Sequence, residues 1–263
     1  MHAFQTSKSS TVSVGIPCYN RPEGLRRTLT CITSQSYSDL EIIISDNAST
    51  DLMVRAVAME FVAHDARIRY VRQERNIGGY KNFQFVLSQA VGEFFMWAAD
   101  DDEWRQDFIR FCVDNIGESG SIMTSFSVLN RTTGLIEEVK LPNLSGRRAN
   151  PRDISLFVRT MLPSMIYGLH RRRALDFFLF ERLSFDWLDC YICLRLIWAS
   201  GYCCRSDVSL YVAGIDATQY SVKAVNGKKL RPLPVLRRSM KYLLRSRSVV
   251  TVLLFVKILF APR

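Results

Sequence analysis

Over the first hundred residues, short β-forming runs alternate with segments of helical spacing, and that rhythm leaves few folds open. Thr11–Pro17 is rich in β-formers, Glu41–Ser45 contains Ile42-Ile43-Ile44, and Arg67–Val71 and Glu93–Ala98 are further runs. Between them, Pro22–Gln35 places Leu25, Leu29 and Ile32 at helical spacing, with Pro22 near its start. Asp51–Ala63 does the same through Leu52, Val54, Val57 and Phe61, and Tyr80–Ala90 reads as a third helix. A run such as Ile42–Ile44 has no polar face, so it suits a strand covered on both sides. The βαβαβαβ order predicts an α/β fold with a mostly parallel central sheet flanked by helices and joined by right-handed crossovers. Such sheets bind ligands beyond the carboxyl ends of their strands.

Those ends are polar. The first run closes in Pro17-Cys18-Tyr19-Asn20, and the second in Ser45-Asp46-Asn47-Ala48-Ser49-Thr50-Asp51. Ser49 or Thr50 is placed to cap the next helix, which leaves Asp46 at the strand tip unexplained. The run Phe94–Ala99 stops at Asp100-Asp101-Asp102. Three adjacent carboxylates repel unless a cation sits among them, and Mg²⁺ or Mn²⁺ commonly bridges carboxylates to phosphate oxygens. The competing reading is a solvated turn in which Asp102 caps a helix starting at Glu103-Trp104.

The second half is less regular. Phe108–Ile116, Ile154–Met161, Arg171–Phe180 and Trp187–Ser200 read as helices. Ser121–Asn130, Leu135–Lys140, Ser164–Leu169, Tyr202–Ser206 and Ser209–Val212 read as strands, and Asn143–Asn150 as a mobile loop. The seven cysteines lie mostly in apolar surroundings, which suits reduced, buried thiols. Cys190-x-x-Cys193 is half of a zinc spacing with no second pair. Residues 1–10 are polar, so no secretory leader is expected and the chain is expected to stay in the cytoplasm. The net charge of +10 comes wholly from the end of the chain. Residues 228–263 hold ten Lys/Arg and no acidic residue, whereas residues 1–227 balance at 25 of each sign.

Four segments together resemble family-2 glycosyltransferases. They are Val14-Gly15-Ile16-Pro17-Cys18-Tyr19-Asn20-Arg21, Glu41 through Asp51, Arg75-Asn76-Ile77-Gly78-Gly79, and Gly92-Glu93-Phe94 through Trp104. They occur in the family's order over residues 11–105. The segment Ser-Asp-Asn-Ala-Ser-Thr-Asp with a triple aspartate is similar to bacterial members that add sugars to O-antigen or other surface polysaccharides, abequosyltransferases among them. The resemblance implies a GT-A fold, a nucleotide-diphosphate-sugar donor, Mn²⁺ or Mg²⁺, and an inverting transfer. Carried over, Tyr19 and Asp46 contact base and ribose, Arg75 lies near the base or phosphates, and Asp100 and Asp102 contact sugar or ribose. Pro17 and Asn20 belong to the same donor set. Asp101 ligates the metal, with Asp102 as its companion. Many relatives place the first aspartate where this chain has Ala99, which leaves open which two of the three carboxylates act.

Glycosyl transfer also needs a base for the acceptor hydroxyl. Family members usually carry it as an aspartate at a helix start, often within Glu-Asp. This chain has Asp186-Trp187-Leu188-Asp189 instead. Spacing to Leu194-Arg195-Leu196 favours Asp189, and relatives with a lone Asp-Trp favour Asp186; a helix cap and a favourable first-turn charge are the plainer roles. His170 and Arg171–Arg173 form a basic cluster that would suit a diphosphate or an anionic acceptor, or simply an exposed helix start.

The expected organisation is a transferase domain over 1–227, with a nucleotide-binding half at 11–105 and an acceptor half at 106–227, then a helical tail over 228–263. The tail mixes basic residues with Tyr242-Leu243-Leu244 and Val249–Val256, too short a run to span a bilayer. It suits an anionic membrane surface, where a lipid-linked oligosaccharide acceptor would be met. Aromatic platforms for nucleic acid are sparse, so no nucleic-acid partner is expected. The enzyme reading competes with two others. A sugar-nucleotidyltransferase would need a Gly-rich loop where Cys18–Pro22 stands, and a non-catalytic nucleotide-binding scaffold at the membrane fits the missing Glu-Asp.

Overall fold

The computed structural model describes residues 10–160, 162–180 and 188–215. Asp186, the boundary expected at residue 227 and the tail over 228–263 lie outside the described residues. Along the chain run β1 (Val12–Cys18), α1 (Pro22–Thr33), β2 (Leu40–Asp46), α2 (Leu52–His64), β3 (Ile68–Arg72), α3 (Gly79–Ser88) and β4 (Phe94–Trp97). Then follow β5 (Glu103–Trp104), α4 (Phe108–Asn115), β6 (Ser121–Asn130), β7 (Ile136–Val139), α5 (Pro151–Thr160), β8 (Leu169–Arg171), α6 (Asp176–Phe180), α7 (Leu188–Ala199) and β9 (Tyr202–Ile215). Contacts divide the chain into two units that do not follow chain order. The first comprises Met1–Asn115, Tyr167–Glu181 and Leu210–Val212; the second comprises Ile116–Ile166, Arg182–Ser209 and Ala213–Arg263.

In the first unit the strand order is β3-β2-β1-β4-β8. The first four are parallel, as the alternation requires, and β8 joins β4 antiparallel. Every residue of β1 and β4 is buried, and so are Ile42, Ile43 and Ile44. Each fully buried Val, Ile, Phe or Met among them contributes about 1.5–3 kcal/mol relative to exposure. The register levels the carboxyl ends, with Cys18 opposite Asp46 and Gly15 opposite Trp97. Gly15 is needed for this packing, because a Cβ there would lie 2.7 Å from Val86 and 2.8 Å from Phe95. The helix α1 buries Leu25, Leu29 and Ile32 and starts on Pro22. The cap of α2 is Asp51, whose carboxylate accepts the Met53 N–H at 2.9 Å, rather than Ser49 or Thr50. Glu103-Trp104 is not helical: it pairs antiparallel with Tyr211-Val212 as β5, so Asp102 caps no helix there.

In the second unit β6 and β7 form an antiparallel hairpin, and β6 neighbours β9. The strand β9 is continuous where two short strands are expected. The segment 143–150, read as a mobile loop from its composition, is tied to its surroundings at Ser145. Asp153 accepts the Ser145 N–H at 2.9 Å and its hydroxyl at 2.6 Å, and Ser145 bridges to Cys203. Cys190 and Cys193 on α7 and Cys204 on β9 are buried, which pushes their thiols up. The expected strand at 164–169 is a 3₁₀ turn over Pro163–Tyr167, with β8 after it. The helix expected over 171–180 is a second 3₁₀ turn followed by the short α6.

Candidate functional site

The carboxyl ends of β1, β2 and β4 gather Arg21, Asp46 and Asp100–Asp102. After Trp97 the chain continues the sheet for one more bond, from the Ala98 N–H to the Gly15 carbonyl at 2.9 Å, and then turns. Thr28 of α1 fixes that turn by donating to the carbonyl of Ala99 at 2.7 Å and of Asp102 at 3.3 Å. Gly24, one turn earlier, faces the Asp100 carbonyl so closely that a Cβ would overlap it. The helix and the aspartate turn therefore meet backbone to backbone.

The three aspartates have three different surroundings. Asp100 is buried; it accepts the Tyr19 N–H at 3.4 Å and faces Arg21 Nη1 at 3.3 Å. Asp101 is partly exposed and takes the same Arg21 nitrogen at 2.7 Å. Asp102 is buried and accepts the hydroxyl of Tyr211, which is itself buried on β9. Tyr211 stacks obliquely on Trp104, centroids 5.4 Å apart. Neither Tyr211 nor Arg21 carries an expectation from sequence for these contacts; the quoted Asn-Arg pair after β1 was the one available signal for Arg21.

The donor residues of β2 form a second cluster beside the first. Asp46 is buried, its two oxygens taking the Ser49 N–H at 2.8 Å and the Tyr70 hydroxyl at 2.7 Å, with Arg72 Nε at 3.4 Å. Burial and the hydrogen bond to Asp46 push the Tyr70 hydroxyl up, so it stays a donor. Asn47 stitches the next loop in: it donates to Asn76 at 3.0 Å and accepts the Ile77 N–H at 2.8 Å. That places the turn bearing the exposed Arg75 beside the strand tip. Asn20 spends its side chain on structure, accepting the N–H of Thr50 at 2.8 Å and of Asp51 at 3.1 Å. Its φ of 54° is one that asparagine tolerates better than most residues. Ala48, at φ 59°, has no such excuse and stores about 1–2 kcal/mol at the loop tip. Pro17 is buried in β1, whereas Tyr19 is 41% exposed. The structure thus brings Pro17, Tyr19, Asn20, Asp46, Arg75, Asp100, Asp101 and Asp102 to one edge.

Among the described residues, no three His, Cys, Asp or Glu side chains are arranged to surround a metal ion. The donor set still fits a hard divalent cation: Asp100 and Asp101 turn carboxylate oxygens toward one cationic nitrogen, and Mg²⁺ or Mn²⁺ usually takes only one or two carboxylates plus phosphate oxygens. Burial first, then the neighbouring Asp101, push the Asp100 carboxyl up to about 6 against the pull of Arg21. An unfolded chain gives up that proton near pH 4. The folded state therefore holds the extra proton between those values, and its stability falls as pH rises through the window, by about 3 kcal/mol in all. A divalent ion held there would bind the deprotonated form and reverse this loss. The rise in melting temperature given by Mn²⁺ should be small at about pH 5 and reach a plateau above about pH 7. A rise that ignores pH would contradict the placement of Asp100.

The basic cluster near residue 171 is not part of this edge. The β4–β8 register sets Arg171 opposite Phe94, at the amino end of β4, away from the aspartates. There Arg171 pairs with Glu93 at 3.1 Å, and Arg172 donates to the Gly92 carbonyl at 2.9 Å. His170 is fully buried, its ring edge-on to Trp97. In the second unit, Asp189 sits in the first turn of α7, where it accepts the Cys190 N–H at 2.7 Å, and burial raises its carboxyl.

The sequence profile described as Glycosyl transferase family 2 matches residues 13–182. The amylovoran biosynthesis glycosyltransferase AmsB of Erwinia amylovora is 31% identical over 104 residues, covering 39% of this chain and 35% of the relative. A Campylobacter jejuni GalNAc(5)-diNAcBac-PP-undecaprenol beta-1,3-glucosyltransferase is 38% identical over 93 residues, 35% of this chain and 30% of the relative. The chain thus spans about a third of the length of these curated relatives. S. aureus TarS 1–349, solved in complex with UDP-GlcNAc, matches with a TM-score of 0.64 at 19% identity, over 81% of this chain and 60% of that one. A mannosyltransferase from Pyrobaculum calidifontis, solved with GDP-Man and Mn²⁺, matches with a TM-score of 0.61 at 17% identity, over 90% of this chain and 70% of that one. Likeness at such identity speaks to the fold alone.

Proposed function

The chain belongs to glycosyl transferase family 2 and has its GT-A fold, and from that premise we propose that it moves one sugar from a nucleotide-diphosphate donor to a polysaccharide precursor, with inversion. The observation that carries the reading is the shared edge where Asp46 and the three aspartates converge. Nucleoside recognition falls to Tyr19, Asp46 and Arg75, with Asn20 and Asn47 holding their loops in place. Asp101, with Asp100 or Asp102, would hold Mn²⁺ or Mg²⁺, which when bound supplies Lewis-acid stabilisation of the departing diphosphate. Arg21 adds a positive charge beside the same position. The base we propose is Asp189 or Asp186, as the family resemblance implies; the Asp189 carboxyl, raised by burial, is better matched to taking a hydroxyl proton than an ordinary aspartate. A single in-line displacement by that hydroxyl inverts the anomeric centre.

The acceptor we propose is a lipid-linked oligosaccharide, the kind named for the Campylobacter relative. Residues 228–263 would then bring the enzyme to the cytoplasmic face of an anionic membrane, each basic residue contributing about 1 kcal/mol. No helix among the described residues is long and apolar enough to cross a membrane. Flotation of the full chain with anionic but not zwitterionic vesicles is the expected result, and equal flotation with both would remove the membrane proposal. The function itself is tested by a panel of nucleotide-diphosphate sugars with and without Mn²⁺. One donor should bind and release its nucleotide in a metal-dependent way. Binding without any turnover, across donors and with lipid-linked acceptors, would favour the scaffold reading, and no binding at all would end the proposal.

A further inference from the structure

We propose that Arg21 is an internal counter-ion: it holds the cation position of the aspartate turn and gives it up only when a divalent ion and a diphosphate arrive together. The inference rests on the metal reading above and adds a competitor to it. One guanidinium nitrogen lies 2.7 Å from an oxygen of Asp101 and 3.3 Å from an oxygen of Asp100. The side chain is not required by the helix it precedes. Arg21 is the N-cap of α1, yet it makes no side-chain cap hydrogen bond, and only its carbonyl serves α1, taking the Leu25 N–H at 3.0 Å. The side chain is 43% exposed, so it has room to swing away without opening the core.

Two effects of opposite sign follow. A guanidinium and a divalent ion at the same oxygens repel each other, so Arg21 weakens the binding of the ion alone. A displaced guanidinium is well matched to phosphate oxygens, which it binds through its planar fork. Ion and nucleoside diphosphate therefore bind cooperatively, and in their absence Arg21 offsets part of the negative charge of the turn. A residue that merely tightened metal binding, or merely capped the helix, would give neither sign.

The test is a Mn²⁺ titration followed by electron paramagnetic resonance on the full chain, with and without UDP or GDP. Wild type is compared with Arg21→Ala, Arg21→Gln and Arg21→Lys. Arg21→Ala and Arg21→Gln should bind Mn²⁺ alone about tenfold more tightly than wild type, and Arg21→Lys, which keeps the charge, should stay near wild type. The gain in Mn²⁺ affinity from the nucleoside diphosphate should shrink by about the same factor in the two neutral variants. Neutral variants that bind Mn²⁺ no more tightly than wild type overturn the counter-ion role and leave the metal reading standing. Failure of every form to bind Mn²⁺, even with nucleoside diphosphate, overturns both.

Discussion

Asp101→Asn should lower metal-dependent sugar transfer on the order of a thousandfold while moving the melting temperature by no more than about 2 °C. The two halves of this result have separate causes. Of the three aspartates, Asp101 is partly exposed and bonded to a half-exposed arginine, and Asp100 and Asp102 are buried. An ion pair at that exposure contributes little to stability. The same accessibility leaves its carboxylate the most readily offered to an incoming ion. An amide keeps the shape of the side chain and removes the charge, so charge building on the departing diphosphate loses stabilisation worth several kcal/mol. Single-turnover rates with saturating donor, beside thermal melts, give both readouts. Unchanged turnover would move the metal to another pair of carboxylates.

Gly24→Ala should destabilise the protein by about 1–3 kcal/mol and weaken Mn²⁺ binding, although helix propensity alone predicts a gain of nearly 1 kcal/mol from this exchange. The sign is decided at one contact. The Cβ at position 24 would overlap the carbonyl oxygen of Asp100, a backbone atom that cannot turn aside as a flexible side chain does. Retreat of the turn is opposed by Thr28, which holds the carbonyls of Ala99 and Asp102 from the same helix. Either α1 shifts or the aspartate turn moves, and Asp100 loses its place beside the Tyr19 N–H. Denaturant melts with and without Mn²⁺ measure both effects; a variant more stable than wild type would show that the contact relaxes at little cost.

The parallel half of the fold was legible because β2 and β4 are covered on both sides and so carry the unbroken apolar runs Ile42–Ile44 and Phe94–Trp97, and because β-forming β1 opens the same strand-helix alternation. Asp46 and the aspartate turn were legible because charge directly after such a run has few structural uses. Partners far along the chain were not. Tyr211 reaches Asp102 across more than a hundred residues, and nothing in its own neighbourhood marks it. Arg171–Arg173 read as a basic cluster suited to a diphosphate, an anionic acceptor or an exposed helix start, and only the antiparallel register of β8 places Arg171 at the opposite end of β4. Residues 143–150 looked mobile from their Asn, Ser and Gly content, yet Asp153 supplies the bonds that composition cannot reveal. Grouping Asn20 with ligand contacts did not reveal the structural bonds its side chain makes to the Thr50 and Asp51 amides.

The central claim is that acidic side chains at the end of β4 and the buried Asp46 at the end of β2 serve one donor molecule. A crystal structure of the chain with Mn²⁺ and the donor selected by the nucleotide-sugar panel tests it most directly. The account predicts the ion at about 2.0–2.2 Å from a carboxylate oxygen of Asp101, the diphosphate on that ion, and the nucleoside between Tyr19 and Asp46. An ion ligated elsewhere, with the diphosphate away from the aspartate turn, would contradict it.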